Sequence, residues 1–392
     1  MRLLKGLFNL LASAILSVIL LIALLLLVFM GTLEQTRIGL YEAQQRYFES
    51  MIVVPRLFGV VPIPLPGAYL LLFLVFINMI FGAIIRAPKR LTRPGLLIAH
   101  TGILLLVLFG VVSHHFSING NMPLYVEESG SRIQSYYDWE VRITEAGGSG
   151  EGRQYIIPQE DFEDCGSSET GTFRHDSLPF DVMIGPYYRN SAPVAGAGPP
   201  AVDGIVLREE PPAQSAEMNV PGLFVHLNGD PGLTGLLWGM ERAPWIVRIK
   251  DQTYTLSLSR REWSLPFTLT LKAFHHKKHP GTETPSEFSS DVTVQEGGTL
   301  RNAVIRMNEP LRHRGYTFYQ ASWGPSNAQE GDPLYSVLAV TRNPAMKWPV
   351  YASILISCGL LLHYGQVLFR YLKRATTDSP AEKTIKGGGD TC

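Results

Sequence analysis

The chain has 392 residues, 46% hydrophobic and 17% charged. Its 34 basic and 34 acidic residues cancel to a formal net charge of zero, so no global basic field exists to attract nucleic acid. The three cysteines, Cys165, Cys358 and Cys392, form no CxxC pair, which argues against a dithiol oxidoreductase and against a disulfide-stapled outer domain.

In chain order, four apolar runs stand out, at 6–33, 67–85, 94–113 and 349–369, none with a charged residue. Each meets the roughly 20 residues needed to cross a hydrocarbon core of about 30 Å. Run 6–33 follows Arg2 and Lys5, is longer than a signal-peptide core and lacks a clear cleavage site, so it reads as an uncleaved anchor. Residues 34–66 mix both signs and read as an outer loop. Arg86, Lys89, Arg90 and Arg93 fill the short loop 86–93, and Arg370, Lys373 and Arg374 open the tail 370–392. The positive-inside rule then places both termini and the 86–93 loop in the cytoplasm and the large block 116–348 outside, in a multi-pass membrane protein. Trp348 and Tyr351 sit where an outer aromatic belt is expected.

The outer block shows two-residue alternation bounded by Gly and Pro, clearest in "TYTLSLS" (253–259) and "FTLTLKAF" (267–274), with shorter strands in "GLFVHL" and "YSVLAV". "WEVRI" at 139–143 matches "WIVRI" at 245–249, and "SLPFDVMI" at 177–184 matches "SLPFTLTL" at 264–271, in the same order. This predicts two tandem β modules, 116–190 and 223–348, joined by a Pro/Ala-rich linker at 191–222. The expected fold class is a membrane protein of four transmembrane α-helices with a large extracytoplasmic all-β domain. "HHKKH" (275–279) reads as a solvated loop, with two lysines inside it and no carboxylate or Cys nearby in sequence. No fingerprint of a hydrolase, kinase or dinucleotide-binding protein appears.

Ionisable groups inside spanning helices are rare and usually functional. His100 lies six residues into the third run, roughly 9 Å from the inner edge, and His363 lies six residues before the end of the fourth, again roughly 9 Å. Asn78 falls at roughly 10 Å in the second run, so the three are expected in one layer. Neutral imidazole is a usual axial ligand of haem iron. Leu96, Leu97, Ile103 and Leu104 surround His100 at helical spacing, and Gly95, Ala99 and Gly102 form a small-residue stripe that admits a helix or a flat cofactor. Gly359 leaves similar room one turn before His363. Asn78 or Gln366 could orient a second imidazole nitrogen. The alternative is that these polar groups only join helices. His114 and His115 read as a solvated outer helix end, with a haem or protein contact as the other possibility.

Several stretches carry a resemblance to the ResB (CcsB) family of System II cytochrome c biogenesis proteins. They are "GTLEQTRIGLYEAQQRYF" (31–48), "PLPGAYLLLFLVFINMI" (64–80), "RPGLLIAHTGILLLVLFG" (93–110), "MNEPLRHRGYTFYQASWGP" (307–325) and 335–374. The resemblance covers all four runs and is loose over 145–300. It implies a haem-handling subunit that moves haem b across the membrane and presents it for attachment to apocytochrome c, beside a ResC/CcsA-type membrane partner. It implies His100 as a haem-iron ligand, a second ligand from the partner, and a less defined cofactor-binding role for His363. It further implies a non-catalytic or co-catalytic subunit of a holocytochrome c synthase. Two other readings stay open: a membrane-anchored β scaffold that binds a secreted protein, and a bis-histidine haem b electron-transfer chain using His100 and His363 together.

Overall fold

The computed structural model describes residues 2–57, 61–86, 94–146, 152–166, 169–197, 200–229, 232–278, 285–325 and 332–377. Lys89, Arg90, Arg93, His279 and Cys392 lie outside them. The chain groups into two compact units, one of Met1–Leu33, Gln44–Phe116 and Pro344–Cys392, the other of Glu34–Ala43 and Ser117–Asn343.

The first unit is helical. It contains α1 (Arg2–Leu11), most of α2 (Ala14–Ile38), α3 (Ala68–Met79, continued by a π-helical turn Ile80–Ile85), α4 (Pro94–Phe116) and α5 (Trp348–Thr377). Among the described residues, four segments are long and apolar enough to cross a membrane: Ala14–Ile38, Ala68–Ile85, Pro94–Phe116 and Trp348–Arg374. The protein is therefore a membrane protein with four candidate spanning helices. The first differs from expectation, because run 6–33 is two helices broken at Ala12–Ser13. Ser13 Oγ accepts from the Ile15 N–H at 3.2 Å, as an N-cap does. Carbonyls at the break are met by another helix. Asn78 Nδ2 donates to Leu11 O at 2.7 Å and to Ser13 O at 3.1 Å, and its Oδ1 accepts from Ser17 Oγ at 2.5 Å. A buried amide fully engaged in this way holds a helix break that apolar periodicity alone does not signal.

The second unit is β-rich. In chain order its strands are β1 (Ile118–Tyr125), β2 (Ser129–Glu145), β3 (Gln154–Pro158), β4 (Gly171–Phe173), β5 (Asp181–Tyr188), β6 (Ser191–Ala195), β7 (Ile205–Glu209), β8 (Gly222–Asn228), β9 (Leu233–Trp238), β10 (Trp245–Ile249), β11 (Gln252–Lys278), β12 (Pro285–Glu296), β13 (Thr299–Arg306), β14 (Leu311–His313), β15 (Tyr316–Gly324) and β16 (Tyr335–Arg342). Ten of them form one sheet, with path order β13-β12-β11-β2-β1-β16-β15-β14, β10 also pairing β11 and β3 pairing β2. A second sheet has order β9-β8-β5-β4, and β6 and β7 form a separate two-stranded ladder.

The β unit has two apolar cores, but they are nested and not successive. One is built from Trp139 to Leu258, the other from Met122, Leu124 and Ile133 together with Leu265 through Val340. The long strands β2 and β11 run through both. Leu256 and Leu258 enter the first core, while Leu265, Phe267, Leu269 and Leu271 enter the second. The repeat does not map onto two successive modules. Both W-x-V-R-I strands flank β11, where Leu256 pairs with Ile143 on one side and Trp245 on the other. Of the two L-P-F strands, 177–184 serves the first core and 264–271 the second. The expected linker also folds in part: Ser191–Ala195 pairs antiparallel with Ile205–Glu209.

The ladder of β2 and β11 slips between Arg260 and Glu262, where the cores meet. An ion network spans this seam. Arg142 bonds to Glu140 at 2.7 Å and to Glu262 at 3.2 Å, and Arg132 reaches Glu262 at 3.2 Å. Charges shielded from water in this way stay only where each finds opposite charge.

Candidate functional site

The polar side chains of the helical unit are the natural place to look for chemistry. Their positions follow from how α4 meets α5. Gly95, Ala99 and Gly102 recur at helical spacing and are buried along one side of α4. A Cβ on Gly95 would come within 2.5 Å of Gly359 O and His363 N, and one on Gly102 would meet Ala352 O at 3.1 Å. A Cβ on Gly359 would lie 2.5 Å from Ala99 N. The two helices touch backbone to backbone, so the stripe seats a helix and not a flat cofactor.

This pairing also fixes relative depth. The helices are antiparallel, with Gly95 beside His363 and Gly102 beside Ala352 and Ile356. His363 is therefore level with the start of α4, and His100 lies about six residues further along, roughly 9 Å away along the axis. The expected common layer of His100 and His363 does not hold. α5 runs on past Phe369 to Thr377, so the end of its apolar run is not a depth marker.

His100 projects one residue step around the helix from Ala99, about 100° off the packed stripe. Its side is half-buried, beside exposed Leu96 and half-buried Leu97, Ile103 and Leu104. Its Nδ1 lies 2.8 Å from the carbonyl oxygen of Leu96, one turn back. A carbonyl only accepts, so Nδ1 donates; in the neutral ring Nε2 then carries the lone pair. This is the tautomer an axial ligand needs, with the orienting contact supplied by the backbone. The carbonyl at i−4 was available to any reading of the sequence, but nothing in the residue types marks it.

The expected orienters are placed elsewhere. Asn78 is occupied at the helix break. Gln366 Oε1 is buried and has no hydrogen-bond partner among the described residues. His363 is half-buried, with its ring edge-on to Tyr364 at 5.3 Å. At the other end of α4, His114 and His115 are exposed, as expected of a helix end, and they also contact one another and their neighbours. Their rings lie 4.9 Å apart, both contact Tyr69, and His114 Nε2 is 3.8 Å from Glu49 Oε1.

In the β unit, "HHKKH" is not a free loop. His275 and His276 belong to β11, His275 Nε2 lies 3.1 Å from Asp291 Oδ2, and His276 stacks on Trp323 at 4.7 Å. The carboxylate comes from the neighbouring strand, which sequence proximity does not reveal. Cys165 is buried and Cys358 exposed, both as free thiols. Among the described residues, no three His, Cys, Asp or Glu side chains gather to hold a metal ion.

Four apolar helices long enough to span a membrane, joined to a large β-rich unit, define a membrane protein with a large all-β domain. The profile of the ResB-like family matches residues 82–332, well over half of the chain. The chain belongs to the ResB-like family. It is similar to protein NrfI of Wolinella succinogenes, 30% identical over 115 residues, or 29% of this chain and 12% of NrfI. It is also similar to the cytochrome c biogenesis protein CcsB of Synechococcus sp. strain CC9902, 32% identical over 101 residues, 26% of this chain and 24% of that protein. A 48-residue stretch is 44% identical to CcsB of Crocosphaera subtropica, covering 12% of this chain and 11% of that protein. The matches thus span a quarter or less of the length of these three relatives.

Proposed function

We propose that this chain is the haem-handling subunit of a System II cytochrome c biogenesis complex, in which His100 Nε2 binds the iron of haem b within the membrane. The observation that carries this reading is the bond from His100 Nδ1 to Leu96 O at 2.8 Å, which reserves Nε2 for a ligand on an apolar helix side. The packed α4–α5 stripe lies elsewhere on the helix, so His100 is not part of that contact. The names of the CcsB relatives support the pathway.

In this reading haem is cargo. A second iron ligand would come from a ResC/CcsA-type membrane partner, and the β unit, held outside with both termini in the cytoplasm of the inner membrane, would receive apocytochrome c. Haem, when bound, would bring the iron that His100 Nε2 coordinates. This chain's residues position it: Leu96 O orients the imidazole, and the surrounding leucines keep water from Nε2. His363, offset from His100 by roughly 9 Å along the helices, fits a separate contact with the cargo better than a second ligand to the same iron.

The test is the visible spectrum of the complex purified after co-expression with its partner. Wild type is expected to show a Soret band that falls or shifts in His100→Ala, while His363→Ala keeps the axial signature. A band unchanged in His100→Ala overturns the reading.

A further inference from the structure

The helix α1 raises a question that haem handling does not answer. It is ten residues, RLLKGLFNLL, and none of them is buried. At 100° per residue, Arg2, Lys5, Gly6 and Asn9 share one side, while Leu3, Leu4, Leu7, Leu10 and Leu11 share the other. The leucine side is open: Leu3 is 91% and Leu4 72% exposed, and Leu7 and Leu10 are exposed as well. Only Phe8 makes a ring contact, edge-on to Phe81 at 5.6 Å. A row of uncovered leucines is not stable in water, so something apolar covers them.

We propose that α1 is an in-plane membrane anchor, with its leucine side in the acyl–headgroup boundary of an anionic lipid leaflet and Arg2 and Lys5 on the headgroups. Three observations favour lipid over a protein partner. α1 spans about 15 Å, too short to cross the hydrocarbon. It is separated from the spanning helix α2 by only Ala12 and Ser13, and the first turns of α2 also expose apolar side chains, Ile15, Val18 and Ile19. The break between the two is a built feature, its carbonyls met by Asn78 and by Arg86, whose guanidinium lies 3.4 Å from Ala12 O. Arg86 adds a third positive charge at this level, and α1 has no acidic residue. Basic residues on one side and leucines on the other are what an anionic interface selects. The inference stands independently of the haem reading.

The test uses the full chain with Cys358→Ser and Cys392→Ser, retaining buried Cys165, reconstituted in vesicles of phosphatidylcholine alone or with 30% phosphatidylglycerol. Single cysteines at positions 2 to 10 carry a nitroxide, and its collisions with oxygen and with a water-soluble nickel complex are measured. Positions 3, 4, 7 and 10 are expected to favour oxygen and positions 2, 5 and 9 nickel, with a period near 3.6. The leucine sites are expected to sit deeper with phosphatidylglycerol, and Arg2→Gln with Lys5→Gln should remove that lipid dependence. Leucine sites shielded from both reagents would mean a protein partner, and leucine sites open to nickel would mean water; either overturns the proposal, as does a depth indifferent to lipid charge.

Discussion

The two units of this molecule solve the burial problem in opposite ways. The β unit hides its large side chains from water inside the protein: Phe318, Leu269, Leu271, Leu256 and Ile143 are fully buried. The helical unit leaves most of its leucines outside, as in Leu25 at 67% exposure, keeps a small apolar core around Leu20, Leu27 and Leu71, and buries glycines and an alanine where α4 meets α5. Water drives the first arrangement. In the second, lipid covers the leucines, so association relies on close backbone approach and on a few polar partners. It follows that the same substitution has different meanings in the two units. In the β unit a residue matters by its volume; in the helical unit it matters by the room it leaves or by the hydrogen bond it makes.

The largest expected effect tests that contrast directly. Phe318→Ala removes a fully buried ring from the second β core, where Phe267 stacks edge-on at 6.0 Å. It should cost about 3–5 kcal/mol. Leu25→Ala, in the membrane helix α2, should leave thermal stability within error of wild type, because no protein cavity opens. Melting curves of the two variants in the same detergent check this. Equal losses would break the comparison.

A smaller effect sharpens it. Gly95→Ala adds one methyl group facing Gly359 O and His363 N at 2.5 Å, and backbone atoms there cannot rotate away. The helices must separate, at a cost of about 1–3 kcal/mol. Gly110→Ala, on the same helix, meets nothing within 4 Å and should be neutral or slightly stabilising through better helix propensity. If the proposed haem site depends on this packing, Gly95→Ala also lowers haem content while leaving His100 in place. Chemical denaturation and the pigment-to-protein ratio measure the two consequences separately.

The sequence made the membrane spans legible because hydrocarbon thickness imposes length and excludes charge, and both leave marks in any 20-residue window. It made single strands legible for the same reason of periodicity. Nesting left no such mark. Which core Leu258 or Leu265 joins depends on partners more than a hundred residues away in β2, and a short W-x-V-R-I motif cannot say whether its twin lies in another module or across the same strand. The break at Ala12–Ser13 was hidden because its stabilising amide, Asn78, is far off in the chain. At the candidate site, His100 was visible as a rare polar group in an apolar run; its tautomer was not, since the acceptor is a main-chain carbonyl. The depth of His363 was misjudged because α5 extends beyond its apolar stretch, and only the glycine contacts reveal the true level.

The smallest expected effect lies at the surface of the β unit. The Glu296 carboxylate accepts from Arg314 and from His313 Nε2 at 3.0 Å, and these partners, the Arg314 guanidinium foremost, hold it below the usual carboxylate range. In the unfolded chain Glu296 returns to its ordinary value of 4.5. Between the two values the unfolded state binds more protons, so stability there rises with pH. The contribution is complete above the unfolded value and is lost as pH falls through the lower, folded one. Because the group is solvent-screened, the change should be a slight tilt in a plot of melting temperature between pH 3 and 6. Glu296→Gln should flatten that tilt without altering the melting point of Leu25→Ala relative to its own parent. A tilt of unchanged size in Glu296→Gln would assign the pH dependence to other groups.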